Sequence, residues 1–183
     1  MSNSDPFLGP IRKAFQGQRG LADRALAQLD DEQFFAMLGE DGNSPATLVK
    51  HLAGNIRSRF TDFLTTDGEK PDRHRDTEFE TDQDSREDLE AMWIRSWELL
   101  DAELASLSPE DLHRTVTIRA EPHTVVEALL RSLGHFAYHV GQIVQLARYR
   151  RGASWQTLSI ARGASQEHTR KVRRQFEGSG SGS

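Results

Sequence analysis

The sequence predicts an all-α fold, a four-helix bundle with one long loop between its second and third helices. Three observations carry that reading. Long segments repeat apolar residues at three- and four-residue spacing. Strand-like alternation is confined to one short stretch, TVTIR. A polar, turn-rich tract separates the second amphipathic segment from the third. Four amphipathic helices with little strand content bury their apolar faces best against one another.

The first helix is expected from roughly Gly9 to Leu29. Phe7 and Leu8 precede it, and Ile11, Phe15, Leu21, Ala25, Leu26 and Leu29 give its apolar face. Gly17 and Gly20 weaken its middle. A short helical segment, DDEQFFAML, follows. The second helix opens at Ser44 and Pro45, a good N-cap followed by a residue tolerated in the first turn. Its stripe is Leu48, Leu52, Ile56, Phe60 and Phe63, and it ends near Thr65.

The tract TDGEKPDRHRDTEFETDQD comes next. Loops this long within a compact domain are either functional or disordered. Phe79, the turn pairs Asp67-Gly68 and Lys70-Pro71, and alternating charge signs favour order over about 66–84. That segment is expected near the mouth of a site or at a subunit contact.

A third helix runs from about Ser85 to Leu107 with Leu89, Trp93, Leu100 and Leu104. Trp93 and Trp97 read as core or helix–helix contacts. SPEDL marks a new cap and turn, and TVTIR alone does not establish a sheet. The last long helix spans roughly His123 to Arg151, with Val126, Leu129, Leu133, Val140, Ile143 and Val144 inward. Beyond it, Trp155 and the basic run RKVRR form either a short extra element or a frayed end. The bundle domain is therefore assigned to 1–165 and a basic tail to 166–177, while GSGSGS at 178–183 resembles an expression linker outside the fold.

Composition narrows the function. A chain of 183 residues can bury a substantial core as one domain. Its net charge of −5 argues against a polyanion partner. Nothing interleaves the basic tail with a reading surface, so nucleic acid is not expected. No apolar run is long enough to span a bilayer, and MSNSDPFLGP lacks the regions of a secretory signal. A cytoplasmic protein with no membrane partner is the expectation. The sequence has no cysteine, which excludes disulfides and thiolate ligands.

The most specific motif is HFAYH, which sets His135 and His139 one helical turn apart. Residues at i and i+4 share a helix face, so both rings can reach one ion. His51 sits within a second helical segment, VKHLAGN. Side-by-side packing of these helices would give a three-histidine site with a coordination position open to water or substrate. Asn55 and Arg59 follow His51 at four-residue steps. Arg131 precedes His135 by four, and Gln142 follows His139 by three. A polar ridge thus runs beside each apolar stripe, and two such ridges brought together would make a polar cleft. His74, His113, His123 and His168 lie in loops, near turns or in the tail, where solvation is expected.

Other chemistries lack their signatures. GxGxxG, GxxxxGK[ST], HExxH and GxSxG are all absent. A di-iron carboxylate site needs Glu-x-x-His pairs on two helices. Glu121 lies near a turn and Glu167 has no suitable partner.

The order SPATLVKHLAGN and then HFAYHVGQIVQLAR, with HxxxHxGQI in the last helix, resembles the DinB-like superfamily of bacterial four-helix proteins. The resemblance covers most of the chain, to about Ala161. GNIRSRFTDFLTTDGEKPDRHRDTEFE is especially similar to a subgroup of uncharacterised function. It implies that His51, His135 and His139 bind a divalent metal, zinc or nickel, in an open site. It also implies, by analogy, a low-molecular-weight thiol as co-substrate. The expected activity is a metal-dependent thiol S-transferase or isomerase acting on a small electrophilic molecule. A metal-dependent hydrolase and a non-catalytic metal-binding or stress-related protein are the alternatives. Asn55, Arg59, Arg131 and Gln142 are expected to contact substrate or cofactor. Zinc and nickel both suit imidazole donors. A homodimer is one of the assemblies left open.

Overall fold

Capping chemistry sets where the helices begin. In the computed structural model, which describes residues 6–177, α1 is Leu8–Leu26 and α2 is Asp31–Phe35. The α2 cap is a capping box between Asp30 and Gln33. Ser44 and Thr47 form another at α3, Pro45–Phe60. The side chain of Ser85 accepts from the backbone of Asp88 at the start of α4, Arg86–Ser106. Thr124 and Glu127 close a capping box at α5, Val125–Arg151. Each box satisfies two backbone donors that a helix start leaves free. A final helix, α6, is Ser165–Glu177.

The fold is an all-α bundle built on four of these helices. α1 packs on α5, α3 packs on α4, and α3 also meets α5. Phe136 of α5 is fully buried among aromatic rings from α1 and α4. Its centroid lies 5.5 Å from Phe15 and 5.6 Å from Trp97. Arg12 of α1 donates to the carbonyl of Leu104, tying α1 to the end of α4. Each buried large apolar side chain contributes roughly 1.5–3 kcal/mol relative to exposure. Trp93 and Trp97 are both buried, as their spacing predicted.

Several boundaries differ from the sequence reading. α1 stops at Leu26, because the chain must turn to present Asp30 as the cap of α2. α3 stops at Phe60, and Asp62 adopts a left-handed conformation, with φ 49°, that breaks the helix. α5 begins two residues later than expected because residues 121–124 are extended.

A two-stranded sheet is present. β1, Thr115–Ile118, pairs antiparallel with β2, Glu121–Thr124. Arg119 and Ala120 form the turn, both with positive φ, 57° and 60°. Such turns usually require Asn or Gly. Here Asp67, far away in sequence, accepts from both turn amides, at 2.9 and 2.8 Å.

The long loop is threaded along α3. Ser58 donates to the carbonyl of Gly68 at 2.8 Å, and Lys50 pairs with Asp84 at 2.6 Å. A 3₁₀ turn at Asp76–Phe79 packs on α3. Trp155 packs partly buried against the core, whereas α6 buries no residue. Residues 1–5 and the Gly-Ser run 178–183 lie outside the described residues. Among the described residues, no helix is long and apolar enough to cross a membrane.

Candidate metal centre

α3 contributes His51, and α5 contributes His135 and His139. His51 and His139 are buried, and His135 is partly buried. The three offer donor atoms that all lie within 4.8 Å of one another. Nε2 of His51 is 3.2 Å from Nε2 of His135. Two imidazoles on one tetrahedral zinc, at about 2.0–2.1 Å each, set their nitrogens about 3.3 Å apart.

The surroundings fix how the rings can be used. Nδ1 of His51 lies 2.9 Å from Oε2 of Glu78. Nδ1 of His139 lies 2.8 Å from Oε1 of Gln142. Both acceptors favour a proton on Nδ1 and leave the lone pair on Nε2, which is how outer-sphere partners orient imidazole ligands. Nδ1 of His135 is buried without a hydrogen-bond partner. Its contact with His51 therefore pairs one ring only if a buried nitrogen stays unsatisfied. A cation shared between the Nε2 lone pairs also suits this donor set, with Nδ1 of His135 unpaired in either case.

Electrostatics keep the two α5 rings, His135 and His139, neutral. Burial, reinforced by the charges of His139 and His51 and by Arg73 and Arg59, pushes the His135 pKa down to about 3. Burial also lowers the pKa of His139, although its bond to Gln142 opposes the shift. Neutral imidazole is the form that binds metal. For Glu78, burial alone would raise the pKa. Hydrogen bonds from His51 and Arg73 outweigh it and hold the carboxylate ionised.

Glu78 comes from the long loop and was not singled out by sequence. It accepts from Nε and Nη2 of Arg73 at 2.8 and 2.9 Å. Beside it, Phe79 stacks on the His51 ring with centroids 4.8 Å apart. The sequence signal was weak, because one glutamate in an acidic loop looks like any other. Phe79 marked the right segment. The loop lies against the site, one of the two positions expected of it.

Asn55, Arg59 and Arg131 line one cavity of about 190 Å³ with His51 and His135. Arg59 lies at that wall but is also committed elsewhere. It donates to Glu69 at 3.1 Å and to the carbonyl of Gly68. Arg131 is half-exposed and loosely paired with Glu121 at 3.4 Å. Gln142 sits elsewhere, with its side-chain oxygen taken by His139. His74, His113 and His168 are exposed, and His123 lies beside Glu121.

A model of a family described as a protein of unknown function, DUF1572, matches residues 2–164. The chain belongs to the DUF1572 family. Among solved structures, this DUF1572 protein is similar to a DinB-like protein from Bacillus subtilis. That match has a TM-score of 0.62 and 18% identity, and it covers 81% of this chain and 96% of the other. At that identity the likeness speaks for the fold, which is DinB-like. No curated protein sequence is a significant match. The four-helix, DinB-like fold expected from the HxxxHxGQI helix is therefore the one observed. The DUF1572 chain brings together three histidines compatible with a divalent metal.

Proposed function

We propose that this DUF1572 protein binds one divalent ion, zinc or nickel, through Nε2 of His51, His135 and His139. On that ion it acts as a thiol-dependent S-transferase or isomerase toward a small electrophilic molecule. One observation carries the reading: three imidazoles converge across two helices, two of them with Nδ1 held by Glu78 and Gln142. When bound, the ion supplies Lewis acidity and favours the thiolate form of a coordinated thiol.

The protein's own groups do the rest. Glu78 and Gln142 orient two rings, and Arg73 neutralises Glu78. Phe79 covers one face of His51 and excludes water from it. Asn55 and Arg131 face the cavity beside the imidazoles, where substrate or cofactor would lie. Three protein ligands leave a position open, as catalytic sites do.

The test is metal analysis of the purified protein followed by a conjugation screen. Low-molecular-weight thiols are paired with a panel of electrophiles, with and without chelator. The expected result is one ion per chain, lost in the His51→Ala/His135→Ala/His139→Ala variant, and conjugation that needs both metal and thiol. Equal metal content in that variant would overturn the site. Bound metal without conjugation would favour a non-catalytic role.

A further inference from the structure

The cavity beside the histidines carries an unusual lining. Five arginines, Arg59, Arg73, Arg75, Arg119 and Arg131, reach it, and no carboxylate is among its described lining residues. Three carboxylates stand behind them. Glu69 pairs with Arg59, Arg73 and Arg119. Glu78 pairs with Arg73, and Glu121 with Arg131. Five guanidiniums against three carboxylates leave a positive excess facing the cavity. Glu78 is moreover shared with His51.

The arginines divide by commitment. Arg73, with 3% of its side chain exposed, has its fork occupied by Glu78. Arg75 has no carboxylate partner among the described residues. It lies over Phe79, 5.4 Å from the ring centroid. Arg131 is 50% exposed, and its contact with Glu121 is long. Arg75 and Arg131 are therefore the two least held by carboxylates, while Arg119 keeps its Nε on Glu69 at 3.0 Å.

The floor adds an independent sign. Asn55 is 7% exposed and Ser132 is 6% exposed. Both line the same cavity. Among the described residues, neither side chain has a hydrogen-bond partner, and neither polar group is sealed away, so both are free to donate into the cavity. A buried amide and a buried hydroxyl with free donors, below a rim of guanidiniums, have the chemistry of an oxyanion receptor.

We infer that this cavity binds a small oxyanion, a carboxylate or phosphoryl group carried by the substrate or its thiol partner. Asn55 and Ser132 donate from the floor, and Arg75 and Arg131 donate from the rim. Arg59 and Arg73 add positive potential without leaving their glutamates. At about 190 Å³ the space takes a group of a few heavy atoms, smaller than the 300–1,000 Å³ common for drug-sized ligands. The inference deepens the proposed function and rests on it for the place of the anion beside the reacting centre. Anion binding itself does not need the metal.

The test is calorimetric titration of the full chain with inorganic phosphate, succinate and uncharged succinamide, in metal-loaded and metal-free protein. Phosphate or succinate should bind and succinamide should not. Preference between the two anions distinguishes a phosphoryl from a carboxylate ligand. Arg75→Met and Arg131→Met should each weaken anion binding at least about tenfold, the loss expected for a charge-assisted hydrogen bond. Asn55→Leu should do the same, with circular dichroism confirming its fold. Metal content should be unchanged in all three. Anion binding to metal-free protein that the variants weaken would uphold the subsite even if the metal reading fails. Equal affinity for succinamide, or anion affinity unaltered by all three substitutions, would overturn it.

Discussion

Glu78 meets His51 and the two arms of Arg73 at once, all within 2.9 Å. Its part is to fix one imidazole rather than to touch an ion. Glu78→Gln keeps the shape but weakens the acceptor, and metal affinity should fall by about 10- to 100-fold. Competition with a chromophoric chelator measures that, and unchanged affinity would remove Glu78 from the site. His135 gives a second expectation at this scale. Its folded-state pKa is held near about 3 against an ordinary 6.5. As pH falls below about 6.5, the unfolded chain takes up a proton that the folded chain refuses. Metal-free protein should therefore lose stability between about pH 6.5 and 3, with no contribution from this group above that window. Urea midpoints across the range report it, and His135→Asn should make the slope shallower. The three histidines were legible because their spacing needs only helices to have meaning. The duties of Glu78 and Gln142 were not, since which acceptor reaches which Nδ1 depends on how a loop and a rotamer settle.

Helix α3 carries a glycine where propensity argues for alanine. In an exposed helix interior that exchange gains about 1 kcal/mol. At Gly54, however, an added Cβ would run into the carboxylate of Glu78, which His51 and Arg73 hold in place. Gly54→Ala should thus weaken metal binding and lower the melting temperature, the opposite of the propensity effect. A stabilised variant with normal metal affinity would show that Glu78 moves freely. Helix positions and caps were legible at this scale because Ser44, Ser85 and Thr124 are strong local signals. The hairpin was not. Its turn, Arg119-Ala120, carries no Asn or Gly, and the compensation comes from Asp67 some fifty residues earlier. No local window contains both halves of that arrangement.

Across the whole molecule, the core does not depend on the histidines. Phe15 and Trp97 both pack on Phe136, which borders the histidines with its ring centroid 6.0 Å from that of His135, and these apolar contacts need no ion. Metal removal should leave the far-ultraviolet circular dichroism helical, unlike a small zinc finger. The same independence is expected of the tail. α6 buries nothing, so a chain ending at residue 165 should keep the melting temperature and metal content of the parent. A marked drop in either would place 166–177 within the folded unit. Overall architecture was readable because four apolar stripes admit few packings. The tail read ambiguously because it is strongly polar, with Val172 and Phe176 its only large apolar side chains and both exposed.

His51 and His135 stand 84 residues apart in the chain yet nearly touch. An ion gripping both would behave as a reversible cross-link, closing a large loop that exists only once α3 and α5 have docked. The unfolded chain offers no comparable grip. By mass action, free ion at a hundred times its Kd would add about 2.7 kcal/mol to the folded state. Each further tenfold rise would add about 1.4 kcal/mol more. The melting temperature of this protein would then climb with the logarithm of free metal, well past the point where every site is filled.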